Sequence, residues 1–350
     1  MKIILLLMLF ASMKPYALSY ANDGFGALGV GGVVLSKTDK IALNKEVLDI
    51  SCDKIKVYYE FVNESDKDVS ATIIFPLPTY HADPPESGII ASGQPHDFTI
   101  RVNGAPVPFK TEVKAIDNQG KDVTSVLNSV GLSDKQIASF PFDEKLIDTN
   151  HELQLSKQQI AMLNETGLIH DHGYPLWGIN VRYIWTHNFA AKKILRVEHE
   201  YKPFISGGAA GGYRHEKGEP WVLDKYAIDR PDKRYDFCIT KAQTARLEAF
   251  LARKENLDGD NEIPGTVVEY VLTTANSWKG GIRDFTLKVH SKSEDEVVAF
   301  CFPGGFKKKS PNLYEAHVKN FKPKSDLSVY FGNSRKCDSS GNGEIPQFLE

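Results

Sequence analysis

Two imidazoles one residue apart, in His170-Asp171-His172, are the arrangement in this sequence best suited to chemistry. On an extended segment, residues i and i+2 share a face. Both rings could then grip one metal ion with a carboxylate beside them. A third ligand is not specified, since His81, His96 and His187 qualify only as histidines. The triplet lies between a helix stop and Gly173-Tyr174-Pro175, where a solvated loop is the simpler reading. His170 and His172 therefore stand as metal candidates without a ligand set, and no cofactor is implied. A serine hydrolase needs a G-x-S-x-G elbow, and Ser206-Gly207-Gly208 has its glycines on the wrong side for that turn. A pair of carboxylates for glycoside hydrolysis cannot be singled out among 45 acidic residues, so no catalytic residue is assigned. Trp177, Trp185, Trp221 and Trp278 could line a glycan or peptide groove, but aromatic residues equally suit sheet faces and cores. Lys307-Lys308-Lys309, close to Pro311, reads as a hairpin tip. Asn63-Glu64-Ser65 and Asn164-Glu165-Thr166 match the glycosylation acceptor pattern, which matters only in a eukaryotic secretory route.

The sulfur chemistry points to a compartment. Lys2 and the apolar run from Ile3 to Ala11 are followed by Ser19-Tyr20-Ala21, with small residues at the two positions a signal peptidase reads. A charged start, a short apolar run and a small-x-small exit make a secretory leader, with cleavage expected after Ala21. Lys14 and Pro15 break the run too early for a membrane-spanning helix, which needs about 20 apolar residues. Four cysteines follow: Cys52, Cys238, Cys301 and Cys337. An even number in an exported chain reads as disulfides, and no C-x-x-C pair suggests redox exchange or a zinc knuckle. Spacing alone permits three pairings. The apolar, strand-like runs around Cys238 and Cys301 favour joining those two, which leaves Cys52 with Cys337.

The 350 residues are 41% hydrophobic and 25% charged, the balance of a globular protein with a real core. The formal charge is −3. The first 21 residues carry two lysines and no acid, so the remainder is near −5 and has no field to attract nucleic acid.

The elements that must position these residues are mostly strands. Lys54 to Val62 alternates apolar and polar, as a half-buried strand does. A turn cluster at 63–68 and a second run from Val69 to Phe75 read as a hairpin. Asp97 to Val102 runs into Asn103-Gly104, the strongest short turn signal in the chain. The glycine-rich stretch from Gly24 to Gly32 lacks the Gly-Lys-Ser/Thr of a phosphate loop and reads as a closely packed leading strand. From 118 to 174 the pattern turns helical. Thr124–Val130 stops at Gly131, Ser133 caps a short helix, and Ser156 opens a helix that stops at Gly167. Trp177–Asn188 and Ile194–Phe204 look like a long hairpin, and Thr240 caps a further helix from Ala242 to Asn256. About eight short strands fill this last part. The expectation is a mainly β protein of antiparallel β-sandwich lobes with a helical insertion and one further helix in the C-terminal half. In order, it comprises a leader at 1–21, an N-terminal lobe at 22–117, the insertion at 118–174, a C-terminal β-rich lobe at 175–336 and a loose tail at 337–350. One continuous sandwich, with N-terminal strands joining the C-terminal sheet, is the alternative.

The ordered segments resemble a bacterial exported family catalogued as domain of unknown function 4424. The likeness lies in Gly31-Gly32-Val33-Val34-Leu35, Glu46-Val47-Leu48-Asp49-Ile50-Ser51 and Phe75-Pro76-Leu77-Pro78. It continues in Tyr183-Ile184-Trp185, Val197-Glu198-His199-Glu200-Tyr201-Lys202-Pro203, Tyr270-Val271-Leu272-Thr273-Thr274, Asn276-Ser277-Trp278-Lys279-Gly280 and Phe300-Cys301. The resemblance implies an exported bacterial protein, supports the Cys238–Cys301 bridge and implies no activity. In the first lobe, Phe61-Val62-Asn63-Glu64-Ser65, Phe75-Pro76-Leu77-Pro78 and Ile100-Arg101-Val102-Asn103-Gly104 look like the front β-sandwich of inter-alpha-trypsin inhibitor heavy chains, a likeness of fold that carries no function. The expected role is a periplasmic or secreted, non-enzymatic cell-envelope binding protein. Its partner is unspecified, with no nucleic acid and no transmembrane segment once the leader is removed. An envelope-polymer hydrolase and a structural or assembly component are the alternatives.

Overall fold

A computed structural model describes residues 22–29, 32–81, 96–138, 154–170, 175–203, 205–207, 213–214, 222–223, 237–252, 262–263 and 265–332. The expected leader, Asp171, His172, Trp221, Cys337 and the tail lie outside the described residues. Two large sheets face each other. The six-stranded sheet holds β1 (Gly24–Gly29), β2 (Gly32–Leu35), β5 (Val69–Pro76), β6 (Tyr80–His81), β9 (Lys110–Asp117) and β10 (Trp177–Phe189). The eight-stranded sheet holds β3 (Ile41–Ser51), β4 (Lys54–Asn63), β7 (His96–Val102), β8 (Ala105–Pro106), β11 (Ile194–Lys202), β17 (Ile282–His290), β19 (Lys307–Ser310) and β20 (Leu313–Phe321), in the order β19-β20-β17-β3-β4-β11-β7-β8. Four more strands, β12 (Ile205–Gly207), β16 (Gly265–Tyr270), β18 (Val297–Ala299) and β21 (Leu327–Gly332), form a third sheet. A small ribbon contains β13 (Tyr213–Arg214), β14 (Val222–Leu223) and β15 (Glu262–Ile263).

The protein is mainly β, and its ladders are antiparallel except for β17 beside β3, which run parallel. Strands from before residue 118 and strands from after residue 175 share both large sheets. β10 lies between β5 and β9, and β11 lies between β4 and β7. One hydrophobic cluster runs from Ile41 to Phe331. Inner-face rings interlock across the gap, with Phe98 of β7 4.2 Å from Tyr183 of β10 and Phe61 of β4 5.9 Å from Phe189 of β10. Each such fully buried ring contributes about 1.5–3 kcal/mol.

The alternation in β4 is kept: Ile55, Val57, Tyr59 and Phe61 are buried, while Lys54 and Lys56 are exposed. The Asn103-Gly104 turn closes β7 onto β8, with both residues at positive φ as a two-residue hairpin requires. Two expected hairpins are not hairpins. β4 and β5 lie in opposite sheets, as do β10 and β11, so each connection arches from one sheet to the other. The reason lies in Asn63. Its buried amide donates to the carbonyls of Lys67 and Phe189, both at 2.8 Å, and its Oδ1 accepts from the Ser65 N–H and hydroxyl. Asp68 accepts from Ala191 N and Asn188 Nδ2. The two arches therefore bond to each other instead of folding back on their own strands. Lys307-Lys308-Lys309 is likewise not a tip but an exposed strand, β19, at the edge of the eight-stranded sheet. Lysine on an open edge discourages unwanted pairing.

Three helix starts share one device. Ser133 with Gln136, Ser156 with Gln159 and Thr240 with Gln243 each exchange a side-chain and a backbone hydrogen bond in a capping box. They open α2 (Asp134–Ala138), α3 (Lys157–Thr166) and α4 (Lys241–Ala252). α1 (Thr124–Ser129) ends next to Gly131, whose carbonyl accepts from the Gln159 amide at 2.7 Å and so joins α1 to α3. Gly167 ends α3 in the left-handed region. At the turn before β17, a Cβ on Gly281 would lie 2.7 Å from the Phe321 carbonyl oxygen, so only glycine fits. A disulfide joins Cys238 to Cys301, 63 residues apart, and closing such a loop stabilises by about 4 kcal/mol in the chain-entropy picture. Cys52 is buried and disulfide-bonded.

The coupled arches make Asn63 the sensitive residue of this end of the sandwich. Asn63→Ala should destabilise by roughly 1–3 kcal/mol in urea unfolding, because it takes the amide donor from the buried Phe189 carbonyl and breaks the bonds to Lys67 and Ser65, whereas exposed Asn164→Ala should change stability by less than about 0.5 kcal/mol.

Candidate functional site

The residues expected to do chemistry are dispersed. His170 is exposed, just beyond an isolated bridge between Ile169 and Pro175. His81 and His96 belong to strands of opposite sheets, and His187 is on β10, where partial burial lowers its pKa. No group of three or more His, Cys, Asp or Glu placed to hold a metal occurs among the described residues. Trp177, Trp185 and Trp278 are buried in the core. A surface hollow of about 260 Å³ lies beside Cys301, Phe302, Lys322 and Lys324. Its carboxylate, Asp326, is engaged in structure: one oxygen accepts from the backbone N–H groups of Leu272 and Thr273 and from the Thr273 hydroxyl.

Ionisable groups concentrate elsewhere, inside the sandwich. Asn22, Asp23, Glu46, Tyr59, His199 and Tyr270 are all buried, with exposures of 0–1%. A bulge brings Glu46 there. Ile41 and Leu43 face the core at the start of β3, and a register shift between Leu43 and Lys45 then changes the parity. Leu48 and Ile50 turn inward, and Glu46, in phase with them, goes too. It sits opposite Tyr59 on β4. His199 shares the inward phase of Leu195, Val197 and Tyr201 on β11.

Tyr59 is the hub. Its hydroxyl donates to Asn22 Oδ1 at 2.6 Å, lies 3.0 Å from the Tyr270 hydroxyl and accepts from Asp23 N at 3.4 Å. The Asn22 amide donates to both Glu46 oxygens, at 3.1 and 3.2 Å. Asp23 Oδ2 is 2.9 Å from His199 Nε2, and the imidazole is ringed by Tyr59, Phe75, Phe98 and Trp185. Asp23 Oδ1 and His199 Nδ1 have no hydrogen-bond partner among the described residues. The segment leading into β1 is strapped down by a 3₁₀ turn, Thr273–Ser277. Thr274 donates to the Asn22 carbonyl, Trp278 Nε1 donates to the Asp23 carbonyl, and Phe25 N donates to Ser277 Oγ. A Cβ on Gly24 would collide with Leu35 Cδ2 and press on Thr274 Cβ at 3.3 Å, so a larger residue there would require both to move.

Burial pushes the Glu46 carboxyl up to about 8. The Asn22 hydrogen bonds oppose the rise and the Asp23 charge adds to it. Burial likewise holds Tyr59 and Tyr270 well above the ordinary phenol range. Such groups are what a catalytic site needs, but here they are enclosed by packed rings, and what the arrangement does is lock the start of β1 between the sheets. Sequence reasoning missed it. The available signal was an acid in phase with Leu48 and Ile50, and a histidine in the apolar phase of β11.

The sequence profile of the family described as Domain of unknown function (DUF4424) matches residues 21–330, and the chain belongs to that family. No curated protein matches it. Among solved structures, it is similar to a protein from Legionella pneumophila proposed to bind nutrients, at 14% identity and a TM-score of 0.41, over 88% of this chain and 72% of the other. It is also similar to an M1 zinc metallopeptidase from Deinococcus radiodurans, at 8% identity and a TM-score of 0.28, over 85% of this chain and 44% of the peptidase. The chain thus spans less than half the length of that enzyme.

Two outcomes test the cluster. Tyr59→Phe should cost about 1–3 kcal/mol in urea unfolding by leaving buried polar atoms unpaired, while Tyr58→Phe on the outer face should cost far less. With Asn22 in peptide linkage, the folded chain keeps a proton on Glu46 that the unfolded chain releases near 4.5. The associated stability is complete below that pH and is lost as pH rises through about 8, with a slope of at most about 1.4 kcal/mol for each pH unit in between. Glu46→Gln should flatten that slope, as measured by unfolding of the full-length chain between pH 5 and 9.

Proposed function

We propose that this member of the DUF4424 family is exported and acts in the periplasm or outside the cell as a non-enzymatic binding protein of the envelope. The leader with its small-x-small exit and the Cys238–Cys301 bridge both suit an oxidising compartment, and the family profile begins at residue 21, past the apolar run. No helix among the described residues is long and apolar enough to cross a membrane. One observation carries the reading. The acidic, phenolic and imidazole groups gathered between the sheets are buried in the core, a placement that suits support of the fold. What the molecule offers a partner is its periphery, and β19, with four exposed residues, is the longer of the two edge strands of the eight-stranded sheet. A strand edge binds extended segments through main-chain hydrogen bonds, and three lysines there favour an acidic one.

The test is crosslinking in intact cells followed by purification of the tagged protein. A reproducible envelope partner is expected from the wild type. It should be lost from the Lys307→Glu/Lys308→Glu double variant at unchanged melting temperature. Wild-type protein that yields no reproducible partner, or a variant that retains it fully, counts against the reading.

A further inference from the structure

We propose that the chain is cut between Ala21 and Asn22 and that the α-ammonium group so formed is built into the core, paired with the carboxylates of Glu46 and Asp23. This rests on the export reading above and goes beyond it, since it gives the new terminus a structural role. Hydrolysis breaks the Ala21–Asn22 C–N bond. The water oxygen completes a carboxylate on Ala21, and the nitrogen of Asn22 leaves as an ammonium with the protons of water.

Position 22 is fixed by its surroundings. Asn22 is fully buried, its amide donates to both Glu46 oxygens, its Oδ1 accepts from Tyr59, and its carbonyl accepts from Thr274. The backbone nitrogen of the same residue is therefore within a side chain's length of the Glu46 carboxylate, and it is bonded into the residue that precedes Asp23. Around it the one basic side chain buried among the described residues is His199, already 2.9 Å from Asp23 Oδ2. The titratable groups that face this point are Glu46 of β3, Tyr59 of β4, His199 of β11, Tyr270 of β16 and Asp23 itself, and among the described residues no lysine or arginine is buried. Asp23 Oδ1 has no partner among the described residues. Two buried carboxyl groups, one with an idle oxygen, call for a cation with several donors, because buried charges persist only when paired and hydrogen-bonded. An α-ammonium has three donors and needs no side chain to carry it in.

Full burial of Asn22 also sets an order of events. A peptidase must bind extended residues on both sides of the bond it cuts, so the cut precedes docking of the segment that leads into β1. Seating of the new terminus against Glu46 is then a late step that commits the sandwich.

The experiment uses the protein recovered after export. Its intact mass should correspond to a chain that begins at Asn22. Reductive methylation at neutral pH, followed at the N-terminal peptide by mass spectrometry, should modify the α-amine roughly 100-fold more slowly in the folded protein than in urea, since only rare opening exposes it. Glu46→Gln should speed labelling of the folded protein. Should that variant not fold, inserting Ser-Gly between Ala21 and Asn22 moves the amine out of the core and should abolish the protection. A mass that still includes the leader overturns the export reading and this inference together, whereas a cut at another bond overturns this inference alone. A chain that begins at Asn22 but labels equally fast folded and unfolded overturns this inference alone.

Discussion

A carboxyl group inside a β-sandwich has to be satisfied from inside, since neither sheet can spare backbone donors. The Asn22 amide meets that demand for Glu46 and the His199 imidazole for one oxygen of Asp23, and Tyr59 of β4, Tyr270 of β16 and Thr274 of the 3₁₀ turn at 273–277 tie residues 22 and 23 into the same network. The phenol of Tyr59 stands at their junction, hydrogen-bonded to Asn22, Asp23 and Tyr270 and edge-on to the imidazole at 5.5 Å. Satisfying two acids thus fixes the relative positions of the two large sheets and the third. Hydrophobic packing would tolerate several arrangements of the same strands, whereas a buried polar network that joins groups from several strands favours the arrangement that brings them together.

Local features of the fold were legible in the sequence because their causes are local. The Ser/Thr-x-x-Gln capping boxes, the glycine stops and the Asn103-Gly104 hairpin depend on neighbours within a few residues, and the structure has each of them. Alternation correctly located the inner face of β4 and β11. What alternation cannot say is which strand lies next door. The periodicity of Trp177–Asn188 and Ile194–Phe204 is the same whether they pair with each other or reach opposite sheets, and the contacts that hold the second arrangement, from Asn63, Asp68 and the neighbouring strands, are all distant in sequence. The run of three lysines was misread for a related reason: an edge strand and a hairpin tip are equally exposed.

The buried cluster was hidden by a single residue of irregularity. Without the bulge after Leu43, Glu46 would project into solvent and look like any surface acid; with it, an ordinary alternating strand carries a carboxyl group into the core. The same length of chain pairs with β17 in parallel register, far away in sequence. Neither fact has a signature in composition, and both determine where the titratable groups end up.

The parallel pairing of β3 with β17 also bears on how such a polypeptide reaches its final form. If it crosses a membrane amino end first, β3 emerges long before β17, and one flank of a hydrophobic strand waits unmated while most of the remaining chain is delivered. High contact order slows acquisition of the native state, and a waiting edge invites pairing with other nascent copies. Closing that flank is then among the last steps, because β17 lies in the carboxyl-terminal third.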